Sequence, residues 1–171
     1  MAFMDTNRVN PVVTLYSAFP AFMYIDPDLG GPLLESLFRL QASLRYTSPC
    51  AVLDLETSYP DVTVSISANN LGVENSGNML IMTYAHARAS GDVSLISRYY
   101  DLLNSWTDYL STSVLLIHDQ YSADGLSTDN QTNLAIKGII AIKAMSQMSS
   151  FVNKTIDFDK YFSTSSRLYA Q

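Results

Sequence analysis

Residues 73–89 read VENSGNMLIMTYAHARA, and the apolar side chains Met79, Leu80, Ile81, Met82, Tyr84, Ala85 and Ala87 wrap nearly the whole circumference of a helix. A helix that is apolar all round is one buried on most sides. Gly91 stops it, and Ser90-Gly91-Asp92 supplies a helix C-terminal glycine followed at once by an N-cap, so the next helix returns antiparallel across a tight loop. That second helix is predicted from about Val93 to Ser113. Leu95, Tyr99, Leu102, Leu103, Trp106, Tyr109 and Leu110 lie on one side of it, and Arg98, Asp101, Ser105 and Asp108 on the other.

The same alternation extends outward from this hairpin. Pro32 to Arg45 carries Leu33, Leu34, Leu37, Phe38, Leu40 and Ala42 on a broad stripe, entered through Gly30-Gly31-Pro32. Leu134 to Met148 is again apolar almost all round, with Lys137 and Lys143 its two cations. Buried helices alternating with half-exposed ones are what concentric helical layers require. The expected fold is therefore all-α, an α/α toroid or an incomplete arc of one, in a single domain over residues 1–171. Two long connectors, Ala51 to Gly72 and about Val114 to Gln131, lack a helical period, and loops of that length in a compact domain tend to be functional or disordered. Within the first, Val62-Thr63-Val64-Ser65-Ile66 alternates with period two and suggests a short strand.

Composition narrows the function classes. A chain of 171 residues can bury roughly two-thirds of its unfolded surface. With 47% hydrophobic and only 15% charged residues, little charge is left to coat every helix, so some apolar face is expected to be covered by more protein. The net charge of −6 and the scattered Lys and Arg argue against nucleic acid. The most apolar run, Leu134 to Met145, is broken by both lysines and falls short of the ~20 residues of a membrane span. Cys50 stands alone, which excludes a disulfide within the chain and a cysteine-based metal site. His86 and His118 have no partner at zinc-ligand spacing, so neither metal nor cofactor is expected. The opening Met1 to Asp5 shows no signal-peptide pattern, as in a mature or truncated chain.

Read together, Asn10 to Tyr24, Ser58-Tyr59-Pro60, Gly77-Asn78-Met79-Leu80-Ile81-Met82-Thr83, Trp106-Thr107-Asp108-Tyr109-Leu110 and Asn130-Gln131-Thr132-Asn133-Leu134-Ala135-Ile136-Lys137-Gly138-Ile139 resemble, in order and spacing, the fungal glutaminase A family. The resemblance runs over about residues 5 to 160. It implies an (α/α)6 six-hairpin barrel, a secreted location, and hydrolysis of the side-chain amide of L-glutamine to glutamate and ammonia. Secretion would give meaning to two glycosylation sequons, at Asn130 and Asn153.

The departures fall in the connectors. Leu53-Asp54-Leu55-Glu56 stands where the family has His-Asp-x-Gly, keeping the acid. Val62 to Ser67 replaces a polar stretch rich in His, Asn and Asp. Of two adjacent glutamates before the Gly-Asn-Met string, the first survives as Glu74 and the second is Asn75. A Ser-Thr-Asp-Asp loop shrinks to Ser122-Ala123-Asp124-Gly125-Leu126. Retaining helices while eroding connectors is the signature of selection for fold without the same chemistry.

Glu74, Asp54 and Asp124 are thus the motif-matched acids that could supply acid/base or substrate-ammonium contacts for amide hydrolysis. Each has a plainer use. Glu74 just before a buried helix stabilises its N-terminus by roughly 0.3–1 kcal/mol, and Asp54 and Asp124 suit turns. Ser76 has no nucleophile-elbow context, and the aromatics fall mostly on helical stripes, as core packing requires. Two functions are therefore carried forward. One is a catalytically weak or silent secreted module, binding or immunomodulatory, with a small-molecule amide or glycan as ligand. The other is an active L-glutamine amidohydrolase. Because the chain ends near Gln171, before the later hairpins of a whole domain, exposed inner helices are expected to drive homo-oligomerisation, as a two-fold dimer.

Overall fold

The computed structural model describes residues 8–43, 48–55, 70–115 and 117–171, and their regular structure is helical throughout. The order is α1 (Val12–Ile25), a 3-10 turn (Pro27–Leu29), α2 (Gly30–Ala42), α3 (Gly72–Ser90), α4 (Ser94–Arg98), α5 (Tyr100–Ser113), α6 (Thr132–Phe151) and α7 (Thr155–Tyr169). α3 is central, packed by α1, α2, α5 and α6, and α6 in turn packs on α3, α5 and α7. A continuous core runs from Val12 through Phe38, Met79 and Trp106 to Leu168.

The hairpin after α3 forms as its residues dictate. Gly91 adopts φ 79°, left-handed, and its N–H donates to Ala87 O at 3.0 Å. Asp92 then accepts the Ser94 N–H at 2.8 Å and the Ser94 hydroxyl at 3.0 Å, bonds that hold its carboxyl below the ordinary range.

Two expectations need correction. The helix from Val93 to Ser113 is interrupted at Tyr99 (φ −114°, ψ 26°), dividing α4 from α5. At that point Tyr99 stacks on Phe38 with centroids 4.9 Å apart and its hydroxyl donates to Glu35 at 2.8 Å, so its side chain is anchored to α2 across the interface. The second correction concerns α6, which is not buried all round: Ile136 and Ile140, one turn apart, are each 52% exposed. α3, α5 and α7 pack on other faces of α6, and no described element covers this stripe.

Gly77 and Gly138 let α3, α5 and α6 approach closely. A Cβ on Gly138 would lie 2.1 Å from Val114 Cγ1, and one on Gly77 would lie 3.0 Å from Lys137 Cγ. α6 can therefore lay the Lys137 stem directly across α3.

The connectors are pinned where described. Val12 N–H donates to Leu53 O and Leu55 N–H to Val9 O, both at 2.9 Å, so residues 53–55 run alongside the entry to α1. Ala51 N–H donates to Ser76 Oγ at 2.9 Å, and Val52 N–H to Gln41 Oε1 at 3.1 Å. The run Val62 to Ile66, with its expected strand, and Ser58-Tyr59-Pro60 lie outside the described residues. The second connector is irregular and crosses the start of α3. Gln120 Oε1 accepts the Val73 N–H at 3.1 Å, and Gln131 donates to Gln120 O at 2.9 Å and Leu126 O at 3.1 Å. No described helix is long and apolar enough to cross a membrane.

Candidate functional site

The first turn of α3 is where these segments converge, and Glu74 stands in it, 1% exposed. A buried carboxylate needs a cation and hydrogen bonds to offset its lost hydration. Lys137 supplies the cation from α6, its Nζ in direct contact with Glu74 Oε1. Asn78, one turn along α3, donates Nδ2–H to the same oxygen at 3.1 Å. The Lys137 ammonium also sits 4.7 Å from the centroid of the Tyr16 ring on α1, within cation–π range. The Tyr16 hydroxyl is pushed above its ordinary pKa, first by burial and then by the Glu74 charge. Glu74 therefore ties three helices together.

Beside this cluster lies unspent hydrogen-bonding capacity. Asn75 is fully buried and, among the described residues, neither atom of its amide has a partner, and Asn78 Oδ1 is also without one. Each such group carries a desolvation penalty of about 1–3 kcal/mol.

The other two motif-matched acids stand apart, and none of the three bonds another. Asp54, 3% exposed, pairs with Arg8 at 2.5 Å beside the entry to α1. Asp124 is exposed in a tight turn and accepts the Ser122 hydroxyl. Gly125 (φ 82°) donates to Ser122 O at 2.9 Å, and Ser122 N–H to Leu126 O at 3.0 Å. The Ser122 bond, outweighing the small cost of burial, holds the Asp124 carboxyl below the ordinary range. Asp54 and Asp124 thus fasten connectors.

The remaining candidates also have structural partners. Ser76 is buried and spends its oxygen on Ala51 N–H. His86 Nδ1 lies 3.0 Å from Pro27 O, where α3 meets the 3-10 turn, and His118 faces Asp129 at 3.3 Å in the second connector. Among the described residues no group of three or more His, Cys, Asp or Glu could hold a metal. The sequon residues Asn130 and Asn153 are exposed in left-handed turns (φ 54° and 59°) just ahead of α6 and α7.

Lys137, Asn78, Tyr16 and Arg8 are the participants that acid-by-acid reading missed. Lys137 left a signal: a lysine inside an apolar helix must either reach solvent or find a partner.

An all-α scaffold of successive helical hairpins, with a charged cluster at the start of its central helix, defines the class of protein. The chain matches the family described as the glutaminase A six helical-hairpin domain over residues 2–171, and it belongs to that family. It is 35% identical over 150 residues to the glutaminase A of Aspergillus oryzae, a match covering 85% of this chain and 22% of that protein. To a protein of Arthroderma benhamiae named as a probable glutaminase it is 29% identical, over 96% of this chain and 26% of the relative. The chain thus spans about a quarter of the length of these relatives. The second alignment extends over 225 positions, more than the 171 residues present, so the relative carries stretches inside the matched span that this chain lacks. No solved structure gives a significant match.

Proposed function

We propose that this chain keeps the helical scaffold of the glutaminase A family as a secreted binding module, weak or silent in amide hydrolysis, with a small-molecule amide or a glycan as its ligand. The observation that carries this reading is the occupation of Glu74. A general acid or base must hold a bond to the reacting group, whereas Glu74 is 1% exposed and its Oε1 is taken by both Lys137 and Asn78. Asp54 and Asp124, engaged elsewhere, do not complete a pair with it. The stretches that the longer relative carries and this chain lacks fit the same view. Ammonia release from L-glutamine by the purified chain, measured beside Glu74→Gln, tests it.

A second reading, hydrolysis of L-glutamine, is favoured by the 35% identity to the Aspergillus oryzae glutaminase A. Under it Glu74 would act on substrate with Lys137 as its counter-ion, and activity would vanish in Glu74→Gln. Self-association belongs to the proposal as well, supported by the exposed Ile136 and Ile140 stripe on α6. Light scattering that shows a monodisperse monomer at micromolar concentration would overturn that part.

A further inference from the structure

The turn between α6 and α7 is built around Asn153. Its N–H donates to Ser150 O at 3.2 Å, and Lys154 N–H reaches back to Ser149 O at 2.9 Å. That bond pair is the Schellman closure of a helix, with Asn153 in the left-handed position (φ 59°) that such a closure needs. Asn tolerates this conformation better than other residues with a Cβ, so the backbone alone would explain an asparagine here. It does not explain the rest of the turn.

Asn153, Lys154 and Thr155 are all exposed, and the Asn153 amide takes part in no hydrogen bond among the described residues. Its backbone conformation turns an asparagine outward at the end of one helix, with the sequon threonine opening the next. The flanking residues are apolar and face water: Phe151 is 40% exposed and Ile156 83% exposed. The sequon at Asn130 differs, because its middle residue Gln131 is buried and its side chain fastens the second connector.

We infer that Asn153 carries an N-linked oligosaccharide whose first sugars lie over Ile156 and Phe151. The inference rests on the secreted location proposed above. In the transfer, the Asn153 amide nitrogen bonds to the anomeric carbon of a lipid-pyrophosphate-linked oligosaccharide. The carbon–oxygen bond to pyrophosphate breaks, the lipid pyrophosphate leaves with that electron pair, and the amide gives up one proton. The apolar faces of the sugar rings then cover side chains that would otherwise meet water, and their hydroxyls face solvent.

The test is secretion of the full chain from a eukaryotic host behind an added leader, followed by glycopeptide mapping of both sequons. The expected result is a glycan on Asn153, absent in Thr155→Ala and in Asn153→Gly. The first variant leaves the left-handed asparagine in place, and the second keeps the turn with the residue best suited to it. Removing the glycan enzymatically should raise binding of an apolar dye, and Ile156→Ser should reduce that rise. A secreted chain with Asn153 unmodified, while a control sequon protein from the same host is modified, overturns the assignment. Unchanged dye binding after removal overturns the covering role. A chain modified at Asn153 in this host but retained inside the cells of its own organism would sink the secreted reading and leave the acceptor site standing.

Discussion

Lys137 reaches from α6 to the buried carboxylate of Glu74 on α3, and the stem of the lysine crosses at Gly77, where any side chain would crowd it. The pair is a structural joint between the two central helices. Breaking it from one side leaves a charge in the interior, which is costlier than removing both charges.

Lys137→Met should therefore destabilise the fold by about 3–5 kcal/mol, the usual cost of stranding one member of a buried pair. Glu74→Leu combined with Lys137→Met should recover most of that loss. Urea unfolding of both variants checks this, and a loss below about 1 kcal/mol in the single variant would show that the joint carries little.

Asn75→Leu should raise stability by about 1 kcal/mol or more, because it removes a buried amide that has no partner among the described residues and puts apolar surface in its place. Thermal unfolding without ligand reads the change. A clear fall in the melting temperature would mean that the amide has partners in solution, bound water among them.

Gly138→Ala should cost about 1–3 kcal/mol, since the added methyl meets Val114 Cγ1 at 2.1 Å. Val114→Ala in the same chain should relieve part of that cost, a coupling that chemical denaturation of the two singles and the double would reveal.

Burial pushes the Tyr109 hydroxyl up to about 12, with the nearby Cys50 adding to the shift. Burial also raises Tyr100 to about 12, where the Asp157 carboxylate reinforces it. Unfolded tyrosines titrate near 10, so between these values the folded state holds protons that the unfolded state has lost. The corresponding stability is fully present below about pH 10 and is lost as pH rises toward 12. Stability measured across that window should fall, and Tyr109→Phe should make the fall shallower. Phenolate absorbance in the folded chain should show a late-titrating fraction.

The helices were legible wherever apolar residues dominate. The stretches at 73–89 and 134–148 announce themselves by composition, and Gly91 marks its hairpin because a left-handed residue is needed there. α7 escaped periodicity because its buried face is Tyr161, Ser165 and Leu168, a narrow stripe on an otherwise polar segment. α1 escaped because Pro20 lies inside it and removes the N–H that would meet Tyr16 O. Periodicity also could not show that Ile136 and Ile140 face outward, because a local pattern does not say which neighbours exist.

For the site, family resemblance led to Glu74 and chemistry alone did not lead to its partner. Sixty-three residues separate Glu74 from Lys137, and only the packing of α3 on α6 makes them meet. Asp124 accepts the Ser122 hydroxyl within its own turn, as an acid in a connector can, whereas Asp54 pairs with Arg8, forty-six residues away, a partner that no local spacing announces.

Whether Glu74 serves only as a joint, in a scaffold proposed above to be weak or silent in hydrolysis, comes down to one measurement. The most direct measurement is ammonia release from L-glutamine by the purified, folded chain across a range of protein concentrations, alongside Glu74→Gln. The expected result is release at or barely above the buffer blank at every concentration, and the same in Glu74→Gln as in the wild-type chain. Release by the wild-type chain that disappears in a folded Glu74→Gln would contradict it and make Glu74 a catalytic residue.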